Sequence, residues 1–227
     1  MKRGFFGGAF DPIHEGHLNL AKSVFKDLGL DSLELIPNAA PPHKKASSLN
    51  FSLRVDLIKL AIKDYPFMKV NEMEKDLKHK HYTYDTLEHL RKIYGKDDPL
   101  FFLMGEDSLL ALDTWHLGLK LTDFAHLAII KRPGFNLAKA SPILRDYLKD
   151  HLVTRDDPHF EEYKNKPCGK CFLLDSKLYD VSSSRLRHTL VEFYQDQNDK
   201  ALSYLKEEVP DLVLKEILKH KLYQDLT

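Results

Sequence analysis

Cysteine is nearly absent: the 227 residues hold two, Cys168 and Cys171, separated by Gly169 and Lys170. A redox pair at this spacing sits at a helix N-terminus, where a thiolate is stabilised. Here Cys171 instead opens the strand-like run Phe172-Leu173-Leu174. A zinc site would need two further ligands, and His151 and His159 are the nearest candidates. Two reduced thiols on a loop fit the segment better. An excess of one charge is missing too. The 34 basic and 34 acidic side chains cancel, which argues against a general nucleic-acid binder with its basic footprint. No apolar run approaches the length needed to span a bilayer. The N-terminus enters a strand directly, without a signal-peptide core. Together these predict a cytoplasmic protein that engages neither nucleic acid nor membrane.

What is present is ordinary globular material, 43% hydrophobic and 30% charged. That is enough chain for a sizeable core. Neither a repeat nor a clear linker interrupts it, so one domain is expected over 1–227, with a C-terminal helical portion over 182–227.

The densest signal is Gly7-Gly8-Ala9-Phe10-Asp11-Pro12-Ile13-His14-Glu15-Gly16-His17. It follows the apolar run Gly4-Phe5-Phe6 and precedes an amphipathic segment, Leu18 to Leu28, so the order reads strand, tight loop, helix. Two glycines at the strand end allow φ > 0 and close approach of a ligand, and Pro12 stiffens the loop. A helix starting here aims its free N–H groups and positive dipole end into the same space, where phosphates bind. His14 and His17, three apart, share a face. Gly16 leaves room between them.

Downstream, strand and helix patterns alternate. Gly29 is a plausible C-cap, and Leu33 to Ile36 reads as a second strand. It runs into a proline-stiffened loop carrying Asn38, His43 and Lys44, a usual place for ligand contacts in α/β folds. Ser52 to Tyr65 reads as a helix with Leu53, Leu57, Leu60 and Ala61 inward and Ser52 as N-cap. Phe67 to Val70 is a short strand. His79 and His81 read as solvated loop residues, not metal ligands. Thr83-Tyr84-Asp85-Thr86 opens a helix with Leu87, Leu90 and Ile93 inward, ended by Gly95. Pro99 to Met104 fits a central parallel strand. Gly105-Glu106-Asp107-Ser108 should lie beside the first loop across the switch point of the sheet. Asp107 there suits a ribose or base hydrogen bond, a helix N-cap, or both. Trp115, the only tryptophan, is followed by His116 and could serve as core or as ligand platform.

Ala125 to Ile130 is a strand ending in Lys131-Arg132-Pro133-Gly134, cations that fit a phosphate site or a solvated turn. Leu137 to Leu152 reads as helix, Thr154 to Lys170 is polar with two prolines and carries no assignment, and Cys171 to Leu174 reads as strand. Ser182, Ser183 and Ser184 precede an apolar-periodic helix, with Arg187 one turn on. Serines there are N-caps, and with the arginine they make a second anion site. Pro210 to Tyr223 is a closing helix. Strand–helix alternation with at least five strands predicts an α/β fold, a Rossmann-like doubly wound parallel sheet with helices on both faces.

The first loop resembles the His-x-Gly-His signature of a nucleotidyltransferase superfamily, and the Ser182–Arg187 segment resembles its second motif, Ser-x-Thr/Ser-x-x-Arg. With the serine–arginine motif, four further strings resemble the bacterial nicotinate-nucleotide adenylyltransferases in order: Ile36-Pro37-Asn38 through Pro41-Pro42-His43-Lys44, Tyr82-Thr83, Gly105 to Ser108 with Trp115, and Lys131 to Gly134. They span nearly the whole chain. The resemblance implies a nucleotidyltransferase-type sheet and adenylyl transfer from ATP to nicotinate mononucleotide. The products would be nicotinic acid adenine dinucleotide and pyrophosphate, with Mg²⁺ carried by the substrate phosphates and no protein metal ligands. The partners implied are these small molecules, with the chain a monomer or small homo-oligomer.

It also implies roles. His14, His17 and Arg187 would be catalytic. Gly7, Gly8, Phe10, Asp11, Gly105, Asp107, Arg132 and Ser182 to Ser184 would bind ATP. Asn38, His43, Lys44, Thr83, Tyr84, Trp115 and His116 would bind the mononucleotide, with Trp115 stacked on the pyridine ring. Lys44 departs from the arginine common in relatives, keeping the charge without the bidentate fork. Ser184 replaces the commoner threonine and keeps the hydroxyl.

Overall fold

The computed structural model describes residues 1–39, 48–75, 82–131, 136–175 and 180–226. The order is β1 (Arg3–Gly8), α1 (Glu15–Leu28), β2 (Ser32–Pro37), α2 (Phe51–Ala61), β3 (Met68–Val70), α3 (Thr83–Tyr94), β4 (Leu100–Gly105) and α4 (Glu106–Leu110). Two 3₁₀ turns follow, then β5 (His126–Lys131), α5 (Pro142–His151), β6 (Leu152–Val153), α6 (Phe160–Tyr163) and β7 (Cys171–Asp175). Helices α7 (Ser183–Asp196), α8 (Asp199–Glu208) and α9 (Asp211–Lys219) close the chain.

The strands form one sheet of order β3-β2-β1-β4-β5-β7-β6, and every pair is parallel. Parallel strands buried on both faces read as continuous apolar runs, and their side chains alternate between two cores. In β4, Phe101 and Leu103 join the core under α1, α2 and α7–α9. Leu100, Phe102 and Met104 join the one under α3, α4 and α5. The strand order reverses between β1 and β4, so the loops leaving these two strands diverge and open a crevice at their C-terminal ends. This is the doubly wound sheet expected, with helices on both faces.

Local chemistry sets the ends. Helix α1 stops at Gly29, left-handed at φ 61°, and buries Leu18, Ala21, Val24 and Leu28, each leucine worth roughly 1.5–3 kcal/mol on full burial. Several expectations need correcting. Helix α2 is capped by Asn50, whose side chain accepts from the Leu53 amide, not by Ser52. Leu53 is 36% exposed, while the neighbouring Arg54 is 1% exposed. Ile93, expected inward, is 56% exposed. Pro142 opens α5 behind the cap Ser141, so the helix expected from Leu137 starts later, because proline fits only a first turn. The polar 154–170 stretch contains α6, and the edge strand β6, too short for a periodicity signal, joins β7. Helix α8 separates α7 from the closing helix.

Candidate active site

In the first loop the glycines lie within β1, and the left-handed residue is Phe10, at φ 47°. Gly8 is needed for space instead: a Cβ there would stand 2.9 Å from the Phe10 ring. That ring, 1% exposed, packs edge-on against His17 with centroids 5.0 Å apart. His14 and His17 stack at 3.6 Å, the shared face that their spacing predicts. His17 Nδ1 accepts the His14 backbone N–H at 3.3 Å. With Nδ1 an acceptor, the neutral ring carries its proton on Nε2. Burial pulls His14 down to about 4, and burial plus the neighbouring His14 hold His17 well below its ordinary value. Both rings are therefore neutral donors at neutral pH. Gly16 is required beside them, since a Cβ would meet Val181 at 2.7 Å and His14 Nδ1 at 3.0 Å.

Helix α7 begins against this loop. Ser182 caps it, its Oγ accepting the Arg185 amide at 3.3 Å. Ser183 Oγ donates to the Pro12 carbonyl at 3.0 Å. Arg187 Nη1 donates to the Asp11 carbonyl at 2.7 Å, and Nη2 to Ser184 Oγ at 3.3 Å. The two helix beginnings thus meet at one place, with Ser182 and Ser184 exposed.

Asp11, expected among the ATP contacts, is corrected here: its carboxylate faces inward. It accepts from the Ser48 amide at 2.6 Å, the Leu49 amide at 3.3 Å and the Tyr223 hydroxyl at 2.9 Å. Phe10 is likewise turned into the core, so only their backbones border the site. The segment after α9 therefore braces the first loop from beneath.

Beside this lies a cavity of about 350 Å³. Gly7, Gly8, Asn38, Thr83, Gly105, Trp115 and His116 line it, as do Glu74, Thr86 and Ser108. Tyr84 does not; its ring packs on Phe124 at 5.1 Å. Asp107 lies exposed in the first turn of α4, whose N-cap is Gly105, and it does not line the cavity. Trp115 is carried by a turn closed through Gly118, where a Cβ would run into the Leu112 carbonyl oxygen. Lys131 pairs with Asp175 at 2.7 Å. His43, Lys44 and Arg132, like His79 and His81, lie outside the described residues.

Three residues escaped the sequence reading. Arg54 donates to the carbonyls of Ala9 at 2.6 Å, Asn38 at 2.7 Å and Leu49 at 3.3 Å, tying the loops after β1 and β2 together. Its only signal is a cation between Leu53 and Val55. Glu74 accepts the Ala39 amide at 3.0 Å, and Tyr223 holds Asp11; neither has a local signature.

Among the described residues no group of three or more His, Cys, Asp or Glu could hold a metal ion, and no helix is long and apolar enough to cross a membrane. Cys168 and Cys171 are free; burial pushes Cys171 up to about 12, so it stays a thiol.

The cytidylyltransferase-like family model matches residues 5–189. A probable nicotinate-nucleotide adenylyltransferase of Shigella boydii is 34% identical over 223 residues, 98% of each chain. One from Pectobacterium atrosepticum is 36% identical over 220 residues, 97% of each. A Plasmodium falciparum nicotinic acid mononucleotide adenylyltransferase, solved with NaAD, superposes with a TM-score of 0.72. That match covers 98% of this chain and 97% of the other at 19% identity, a likeness of fold. The chain belongs to the cytidylyltransferase-like family, among its nicotinate-nucleotide adenylyltransferases.

Proposed function

We propose that this chain joins ATP to nicotinate mononucleotide, forming nicotinic acid adenine dinucleotide and releasing pyrophosphate. The observation that carries the reading is the meeting of the α1 and α7 beginnings, through Arg187 and Asp11, beside a cavity bordered by Thr83 and Trp115.

The mononucleotide phosphate oxygen attacks the α-phosphorus in line. A phosphorus–oxygen bond forms there as the bond to the leaving pyrophosphate breaks. The attacking phosphate is already ionised, so no proton need be removed. Both reactants are anions, and the protein's work is positioning and charge stabilisation. His14 and His17 donate N–H bonds to the ATP phosphates. Arg187 and the Ser182–Ser184 turn hold the triphosphate from the other side. Gly7, Gly8 and Gly105 let the nucleotide approach the strand ends, and the backbone of Phe10 and Asp11 borders it. Asp107 meets the adenosine part and Arg132 a phosphate.

Asn38, His43 and Lys44 serve the ATP and mononucleotide phosphates. Thr83 and the Trp115–His116 backbone take the pyridine carboxylate, Trp115 stacks on the ring, and Tyr84, packed on Phe124 outside the cavity, supports that wall. Backbone donors favour a carboxylate over an amide, which would leave them partly unpaired. Mg²⁺ binds substrate phosphates with few protein ligands, and the described residues offer no cage of their own; carried by ATP, it would offset phosphate charge. Residues 1–227 act as one domain, in the cytoplasm; the bonds from Ser183, Arg187 and Tyr223 back to the first loop support the single domain.

The test is pyrophosphate release from ATP with nicotinate mononucleotide, nicotinamide mononucleotide or phosphopantetheine as acceptor. Release with the first well above the other two is expected. Equal or greater release with another acceptor would overturn the assignment.

A further inference from the structure

We propose that Glu74 is a specificity-determining residue whose carboxylate accepts a hydrogen bond from a ribose hydroxyl of the pyridine mononucleotide; the proposal rests on the function proposed above. Glu74 is the only carboxylate lining the cavity among the described residues. It is half-buried. Its Oε2 accepts the Ala39 amide at 3.0 Å, and among the described residues Oε1 has no hydrogen-bond partner. Burial raises its pKa, while the Ala39 N–H and the charge of Arg54 pull the other way.

A carboxylate in a pocket for an anion needs a reason. The nicotinate carboxylate and the phosphate are both ionised at neutral pH, with no proton to give, and either would repel Glu74. The pyridinium charge attracts it but offers no hydrogen for the open lone pairs of Oε1. The ribose hydroxyls are the donors that remain. Once a bound mononucleotide shields Oε1 from water, an acceptor left unfilled is costly, so the site rejects a ligand lacking the donor.

The experiment compares kcat/KM for nicotinate mononucleotide with its 2′-deoxy and 3′-deoxy analogues, in the wild-type protein, Glu74→Ala and Glu74→Gln. The wild type should prefer the ribose form over at least one analogue by roughly tenfold or more, the range for a hydrogen bond to a charged group. Glu74→Ala should bring that ratio close to one. Glu74→Gln, which can still bond a hydroxyl, should narrow it and serves if the alanine variant does not fold. A wild type that treats all three alike overturns the proposal. So does an alanine variant that loses the same factor on all three, since that marks Glu74 as a support for Ala39 only. A wild type that joins no pyridine mononucleotide to ATP would instead overturn the proposed function, and this assignment with it.

Discussion

Arg187 donates a 2.7 Å hydrogen bond to the backbone carbonyl of Asp11. A side chain in the first turns of α7 thereby fixes the loop that opens α1, and Tyr223 grips the carboxylate of the same aspartate. The guanidinium retains donors beyond those committed to Asp11 and Ser184, so it can hold the loop and a phosphate at once.

Arg187→Lys separates these two duties, because an ammonium keeps the charge but not the planar fork. Steady-state kinetics should show kcat/KM for ATP lower by about 10- to 100-fold, the range of a charge-assisted hydrogen bond. The melting temperature should move little. Kinetics matching the wild type would remove Arg187 from the site.

His17 presents a neutral ring held by the His14 amide. His17→Ala should lower kcat by about 10²–10³, as loss of one transition-state donor does, with KM for ATP changing less. Wild-type turnover in this variant, measured by pyrophosphate release, would refute the role.

The turn carrying Trp115 depends on the missing side chain of Gly118. Gly118→Ala forces the turn away from the Leu112 carbonyl and should raise KM for the mononucleotide while leaving KM for ATP nearly unchanged. Trp115 is the sole tryptophan, so its fluorescence reports the site directly. Titration with mononucleotide should quench the wild type and quench the variant only at higher concentration.

Acid should destabilise the fold from below pH 6.5. His126 is fully buried, its ring bonded to the Lys166 carbonyl and the Lys170 amide, and burial is the leading cause of a pKa of about 4. His14 lies at about 4 as well. Above 6.5 both states are neutral and nothing is lost. Between 6.5 and about 4 the unfolded chain binds protons that the folded chain refuses, so stability falls by about 1.4 kcal/mol per pH unit per histidine. Urea denaturation between pH 7 and 4.5 should show this slope, shallower by one histidine's share in His126→Gln. A flat profile would contradict it.

The sheet was legible because parallel strands announce themselves: Leu100 to Met104 is apolar at every position. The two turns that open α1 and α7 were legible because glycine, histidine, serine and arginine mark loops and helix starts locally. Arg54, Glu74 and Tyr223 were not, because each acts on residues far along the chain, and a sequence gives no sign of which carbonyl a guanidinium will meet. Leu53 and Arg54 changed places for the same reason. Helical spacing predicts the leucine inward, but three carbonyls at the loop ends reward burying the cation. Asp11 was read as a ligand because it sits inside the motif. Its carboxylate instead satisfies two amides and a hydroxyl.

Arg54 makes the two edges of the crevice, one after β1 and one after β2, a single mechanical part. One cation grips the chain at Ala9 and again at Asn38, so neither edge can open without loosening the other. A substitution chosen to widen the pocket at one edge would also slacken the other, so reshaping this crevice means re-anchoring both edges together.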